Sequence, residues 1–217
     1  MVLVRVSVGQ TAPMPIWARA AGYGAAVFSL VSATAQMVRL YRARSADGIA
    51  IGSWAIGTFS TVTWFAYAIA VASPQQMIAN GYWLLYMVPL TWVILAPRGP
   101  RASVLGVLGV AVLFIVMLAL GLLAPSAPGF VGIPASLMVS LPQIRYSLKH
   151  GRGEAVSLIG WAMLASSSTL WFVYGIGSGE APVMLNSGVG SLLSWTVVAV
   201  LIIRPTSVDH ELIAHEA

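Results

Sequence analysis

The sequence contains no cysteine, and only 8% of its 217 residues are charged. Without cysteine there are no disulfides, no thiolate metal ligands and no cysteine nucleophile. A soluble domain of this length needs roughly a quarter of its residues charged to cover its surface. Most of this chain's surface must therefore face something apolar. Acidic side chains are the scarcest, with 6 Asp and Glu against 11 Lys and Arg. None of them falls inside an apolar run: Asp47, Glu154 and Glu180 stand in connections, and Asp209, Glu211 and Glu216 near the carboxyl end. His150, His210 and His215 lack metal-ligand spacing, and no Ser-His-Asp set can be assembled at depth. No catalytic residues, metal site, cofactor or enzymatic activity are expected. The first 15 residues have neither a continuous apolar core nor a small-residue cleavage pattern, so no cleaved signal peptide is expected.

What the chain has in abundance is apolar length. Hydrophobic residues make up 59% and the mean hydropathy is +0.88. Seven runs are each long enough to cross a hydrocarbon core of roughly 30 Å at about 1.5 Å per residue. They fall at residues 17–40, 49–72, 76–96, 102–124, 129–148, 156–176 and 181–203, separated by turn-forming stretches such as Ser73-Pro74 and Pro97-Arg98-Gly99-Pro100. The expectation is an all-α, multi-pass integral membrane protein with lipid as its principal partner. The basic residues gather on one side of this arrangement. Arg39, Arg42 and Arg44 stand at or after the end of the first run, Arg98 and Arg101 after the third, Arg145, Lys149 and Arg152 at or after the end of the fifth, and Arg204 after the seventh. The excess of positive charge therefore orients the protein rather than binding nucleic acid, and it puts the amino terminus outside and the carboxyl terminus in the cytoplasm. Ten arginines against one lysine, with much Ala, Gly and Val, hint at a high-GC bacterium, hence a plasma (inner) membrane.

The chain also matches itself. An offset of 107 positions lays Gln36 on Gln143, Trp54 on Trp161, and Trp64-Phe65-Ala66-Tyr67 on Trp171-Phe172-Val173-Tyr174. Arg42 meets Lys149 and Asp47 meets Glu154; with one residue fewer in the second copy, Asn80 meets Asn186. Two three-helix units are expected, 17–96 and 129–203, followed by a cytoplasmic tail, 204–217. Both units place their basic loop after the first helix, so both sit the same way up. Three helices end on the side opposite their start, and a parallel second copy needs one more crossing. The run 102–124, with no polar residue beyond Ser103, supplies it as an inverting linker. Parallel repeats of this kind are one of the plans used by transporters.

The polar residues inside the spans come as pairs under the same offset. Asn80 and Asn186 must be hydrogen-bonded or face water. They are read either as interhelical ties or as amides lining a shared cavity, suited to hydroxyl-rich solutes. Trp64 and Trp171 lie on the preceding helices beside those amides, where an indole face can stack on a sugar ring, although a membrane-interface role is open to them too. Trp54 and Trp161, nearer the cytoplasmic ends, read as interfacial belt residues. Tyr67 and Tyr174, one turn beyond the first Trp pair, read either as an outer gate or as belt tyrosines. Pro142 interrupts the backbone hydrogen bonding of the fifth helix and suggests a hinge beside Gln143. The first copy has Ala35 before Gln36, the glutamine without the hinge.

The stretch Leu141-Pro142-Gln143, the basic loop to Arg152, Val156-Ser157-Leu158, then Leu170-Trp171-Phe172-Val173-Tyr174-Gly175 and Asn186 resembles a PQ-loop repeat of the SemiSWEET and SWEET sugar transporters. Gln36, Asp47-Gly48-Ile49, Trp64, Tyr67 and Asn80 carry the likeness in the first copy, so it spans about residues 17 to 203. The resemblance implies that Trp64, Asn80, Trp171 and Asn186 line a sugar site, that prolines hinge the two halves, and that tyrosines form part of an outer gate. It implies passive movement of a small sugar, since no buried carboxylate offers a proton carrier. Rival readings are a PQ-loop transporter of amino acids or another small solute, which would want an acid at depth, and a non-transporting receptor, which would want charges in its cavity. One chain already holds both halves of a pore, so a homo-oligomer is possible but not required.

Overall fold

The computed structural model describes residues 13–43, 51–150 and 158–203. Seven α-helices occur among them: α1 Ile16–Ala43, α2 Ile51–Ala70, α3 Pro74–Leu95, α4 Pro100–Leu123, α5 Ala127–His150, α6 Leu158–Ser178 and α7 Ala181–Ile203. A short 3-10 turn, Ala96–Arg98, links α3 to α4. No strand occurs among the described residues. Each expected apolar run is found as a helix. The loop residues Arg44, Asp47, Arg152 and Glu154 and the tail from 204 lie outside the described residues.

Local chemistry sets the helix starts. At α3, Ser73 is extended and its hydroxyl accepts from the Gln76 amide at 3.4 Å, while Pro74 occupies the first turn, where a missing N–H costs nothing. At α4, Gly99 takes φ 98°, a backbone region that L side chains rarely adopt, and Pro100 follows it.

This is a multi-pass membrane protein. Among the described residues four helices are long and apolar enough to cross a membrane: Pro74–Arg98, Pro100–Leu123, Leu158–Ser178 and Ala181–Ile203. In α2, hydroxyls such as Thr58 and Thr63 lower the hydropathy, and both are buried against neighbouring helices. Helix α4 shows how lipid substitutes for a protein core. Only Ser103, Val110 and Gly121 are buried in it, while Leu105, Leu108, Val112, Ile115 and Val116 point away from the other helices. In water that face would drive aggregation; in hydrocarbon it costs nothing.

The neighbours follow a regular scheme. Helix α3 packs against α1 and α2, and α7 against α5 and α6. Helix α1 meets α6, and α2 meets α5, while α4 lies against α2, α3 and α5. Setting α4 aside, exchanging α1 with α5, α2 with α6 and α3 with α7 reproduces the same pairs. Small residues permit the close contacts, because helix association in lipid depends on packing rather than on the hydrophobic effect. Gly177 of α6 faces Ala18 and Trp17 of α1, Gly129 of α5 faces Pro182 of α7, and Gly121 of α4 faces Ala70 of α2. The starts of α1, α5 and α7 therefore gather at one end with the finishes of α2, α4 and α6.

A Cβ at Gly177 would lie 2.8 Å from the Trp17 ring and closer still to the Ala18 methyl, whereas one at Gly109 of α4 would meet nothing within 4 Å. Gly177→Leu is therefore expected to lower stability by about 1–3 kcal/mol through overpacking, and Gly109→Leu to change it by less than about 0.5 kcal/mol. Thermal unfolding of the two variants in detergent checks this.

Candidate functional site

At the end where α1, α5 and α7 begin, the second and sixth helices present the same pair of aromatics one turn apart. Trp64 and Tyr67 pack edge to face with ring centroids 5.6 Å apart, and Trp171 and Tyr174 do so at 5.4 Å. Edge-to-face contacts of this kind match ring edges to ring faces and fix the relative tilt of the two rings. Tyr67 and Tyr174 are buried, in one cluster with Ala21, Trp64 and Val183. Burial removes the belt reading of these tyrosines, because an interfacial residue keeps one side in lipid and headgroups.

Their hydroxyls converge on one carboxylate. Tyr67 donates to Glu180 Oε2 at 2.8 Å and Tyr174 to Oε1 at 2.7 Å. The Gln76 amide nitrogen donates to Oε2 at 2.7 Å. Tyr174 has spent its one proton on Glu180, so the 2.8 Å contact between its oxygen and the Ser73 hydroxyl has Ser73 as donor. Glu180 and Ser73 occupy matching places, each directly before the first residue of its helix, α7 and α3. Each tyrosine thus reaches the residue heading the opposite helix: Tyr67 on α2 reaches Glu180, and Tyr174 on α6 reaches Ser73. The result is a hydrogen-bonded latch tying α2, α3 and α6 to the head of α7. Three charge-assisted bonds, each worth about 1.5–3 kcal/mol net when enclosed, hold it.

Beneath the latch lies a cavity of about 170 Å³. Trp64, Asn80, Trp171 and Asn186, the four residues expected to form the binding set, all line it. Ser29, Gln76, Trp83, Ser136 and Ser187 complete its polar and aromatic surface, and no lining residue is charged. Neither asparagine ties one helix to another. The Asn80 amide donates to the Gln76 carbonyl one turn back on its own helix at 3.0 Å, and the buried Asn186 Oδ1 has no partner. Among the described residues no group of three His, Cys, Asp or Glu side chains is placed to hold a metal.

Other expectations fare differently. Gln36, Pro142 and Gln143 lie in the α1 and α5 backbones, but their side chains are outside the described residues. Trp54 and Trp161, read as belt residues, are half-buried and pack against neighbouring helices. Trp54 donates to the Thr91 hydroxyl at 3.2 Å and packs with Tyr86, Leu90 and Ile94 of α3. Trp161 packs on Val197 and Leu201 of α7. Each joins two neighbouring helices through the side of its ring that packs. Sequence reasoning passed over Glu180 because it stood in a connection. Its signal was its isolation, the one acid in the connections away from the arginines. It also passed over Ser29 and Ser136, although the same offset of 107 relates them.

Comparison with known proteins agrees with this arrangement. Residues 17–77 match the family model of the PQ-loop repeat. No curated protein matches the chain by sequence. Among solved structures, that of a eukaryotic SWEET transporter at 3.7 Å resolution superimposes with a TM-score of 0.66. It shares 17% sequence identity, and the match covers 87% of this chain and 96% of that one. Residues 17–77 thus match a PQ-loop repeat, and the chain has the fold of a SWEET transporter over most of its length.

Proposed function

We propose that this protein is a uniporter that lets a small sugar equilibrate across the plasma membrane of a bacterium. The observation that supports it best is the lining of the cavity: three indoles (Trp64, Trp83, Trp171) and three primary amides (Gln76, Asn80, Asn186), with hydroxyls among them and no charged group. Indole faces suit the C–H face of a pyranose, and amides and hydroxyls suit its rim of hydroxyl groups, each of which both donates and accepts. An amino acid would bring a carboxylate and an ammonium into this low-dielectric space, where each requires a counter-charge. A receptor for a charged peptide end meets the same objection.

In this reading the chain works as two three-helix units, 17–96 and 129–203, set parallel by the inverting helix 102–124. The amino terminus lies outside and the tail 204–217 in the cytoplasm, with a single chain forming the whole pathway. The latch of Tyr67, Tyr174, Ser73, Gln76 and Glu180 is the outer gate, closed here. Opening it requires Glu180 to exchange three protein donors for water, and the sugar shifts that balance only by contacting the cavity walls better in one state than in the other. Pro142 of α5 is the hinge at the cytoplasmic half. Ala35 stands at the matching place in α1, so bending is concentrated in the second unit.

Proteoliposome uptake of labelled glucose and sucrose tests the function. Asn186→Ala and Trp171→Ala should each lower sugar flux about tenfold or more, equivalent to about 1.4 kcal/mol of lost stabilisation. Collapse of the proton gradient should leave wild-type flux unchanged. Flux indifferent to both substitutions would overturn the site, and flux that needs the gradient would overturn uniport. For orientation, single cysteines replace Ser126, between α4 and α5, and Ala96, at the end of α3. A membrane-impermeant thiol reagent added to intact cells should label the first and spare the second.

A further inference from the structure

Of the three indoles that line the cavity, Trp64 and Trp171 are equivalent in sequence and unequal in bonding. Under the offset of 107, Trp64, Ser60, Ser136 and Gly132 correspond to Trp171, Ser167, Ser29 and Ala25. Each tryptophan is thus supplied with the same two serines, one on its own helix and one on the facing helix. Between α2 and α5 all of them connect. Trp64 Nε1 donates to Ser136 Oγ at 2.7 Å, Ser136 donates to the Gly132 carbonyl at 3.0 Å, and Ser60 Oγ lies 2.9 Å from Ser136 Oγ. Ser136 has one proton, and the carbonyl takes it. Its two lone pairs therefore accept from Trp64 and from Ser60, and its hydrogen-bonding capacity is filled.

Between α6 and α1 the same residues connect differently. Ser29 and Ser167 both donate to the Ala25 carbonyl, at 3.0 and 3.4 Å. Trp171 lines the cavity, yet no described residue accepts its indole N–H. The amides repeat the contrast. Asn80 is committed to the Gln76 carbonyl, while Asn186 Oδ1 is sealed from water without a partner. A carbonyl oxygen left so is a standing cost, which a donor that reached it would remove.

We propose that recognition is divided between the halves. Trp64, locked by Ser136, is a preset stacking wall. The Trp171 N–H and the Asn186 amide supply the directional hydrogen bonds to a hydroxylated ring. Ser136 is then a positioning residue that acts through Trp64 rather than by touching the ligand. The identity of the ligand rests on the sugar reading above; the difference between the halves does not.

Two measurements on the full-length protein separate these. In detergent, with ¹⁵N in the tryptophan indoles, Trp64→Phe and Trp171→Phe assign the two signals. The Trp64 indole proton should exchange with water at least about tenfold more slowly than that of Trp171, since a buried bond must open first. Ser136→Ala should abolish that protection, Ser136→Thr should keep it, and Ser29→Ala should leave the Trp171 rate unchanged. Equal exchange of the two indoles, or protection that survives Ser136→Ala, would overturn the proposal whatever the protein carries. In proteoliposomes with labelled glucose, Ser136→Ala should raise KM about fivefold while kcat stays within about twofold, the pattern of lost binding without a lost step. Trp64→Phe should add nothing to Ser136→Ala, because both remove one interaction. Trp171→Phe should raise KM more than either. A Trp64→Phe effect equal to that of Trp171→Phe would overturn the division, whereas wild-type protein that moves no glucose would overturn the sugar reading and leave the exchange result to decide the division.

Discussion

One carboxylate gathers the hydrogen bonds at one end of this molecule. Glu180 receives hydrogen bonds from Tyr67, Tyr174 and Gln76, and so joins α2, α3 and α6 to the head of α7. Acids are rare in this chain because a charge in hydrocarbon is expensive. The one placed here is stabilised by donors rather than by a cation. In the proposed gate, that choice favours a reversible closure. Water can replace each donor in kind, whereas an ion pair of the same enclosure would resist separation more strongly. The tyrosines also pack edge to face on Trp64 and Trp171, so the latch is joined to two residues of the cavity wall.

The cavity inherits its chemistry from the pairing of two similar sets of helices, and its direction from their differences. Matching residues at Trp64 and Trp171 and at Asn80 and Asn186 give two like faces. A ligand of low symmetry is better served by unlike faces. The divergence arises at small cost, from which lone pair a serine hydroxyl engages: Ser136 accepts an indole proton, and Ser29 does not. A rigid wall on one side and unspent hydrogen-bonding groups on the other give the cavity an orientation without any change of residue type.

Much of this was legible in the sequence. The apolar runs became helices because lipid requires backbone hydrogen bonds to close within each segment, and residue composition sets their lengths. The Trp and Asn pairs were legible because polar or bulky residues in an apolar run are few enough to be matched. What stayed hidden depended on side-chain direction. Trp54 and Trp161 have the positions of belt residues, yet they turn inward to α3 and α7, which position along a helix cannot reveal. Glu180 lies two residues past the end of α6, and its place in a connection says nothing of whether its carboxylate turns toward water or toward two tyrosines. Ser29 and Ser136 are ordinary residues in membrane helices, where serine commonly bonds its own backbone one turn back. Only the distance to the indole separates them.

The absence of cysteine allows the latch to be tested with a single introduced thiol. Ser187→Cys places it on the cavity wall, and a charged, membrane-impermeant thiol reagent is added from the side of the latch. With Glu180 intact, labelling should be slow, and Glu180→Ala should speed it about tenfold or more, a shift of about 1.4 kcal/mol that losing even one charge-assisted bond suffices to produce. Labelling at the same rate with and without the carboxylate would contradict the claim that Glu180 and its tyrosines close the cavity.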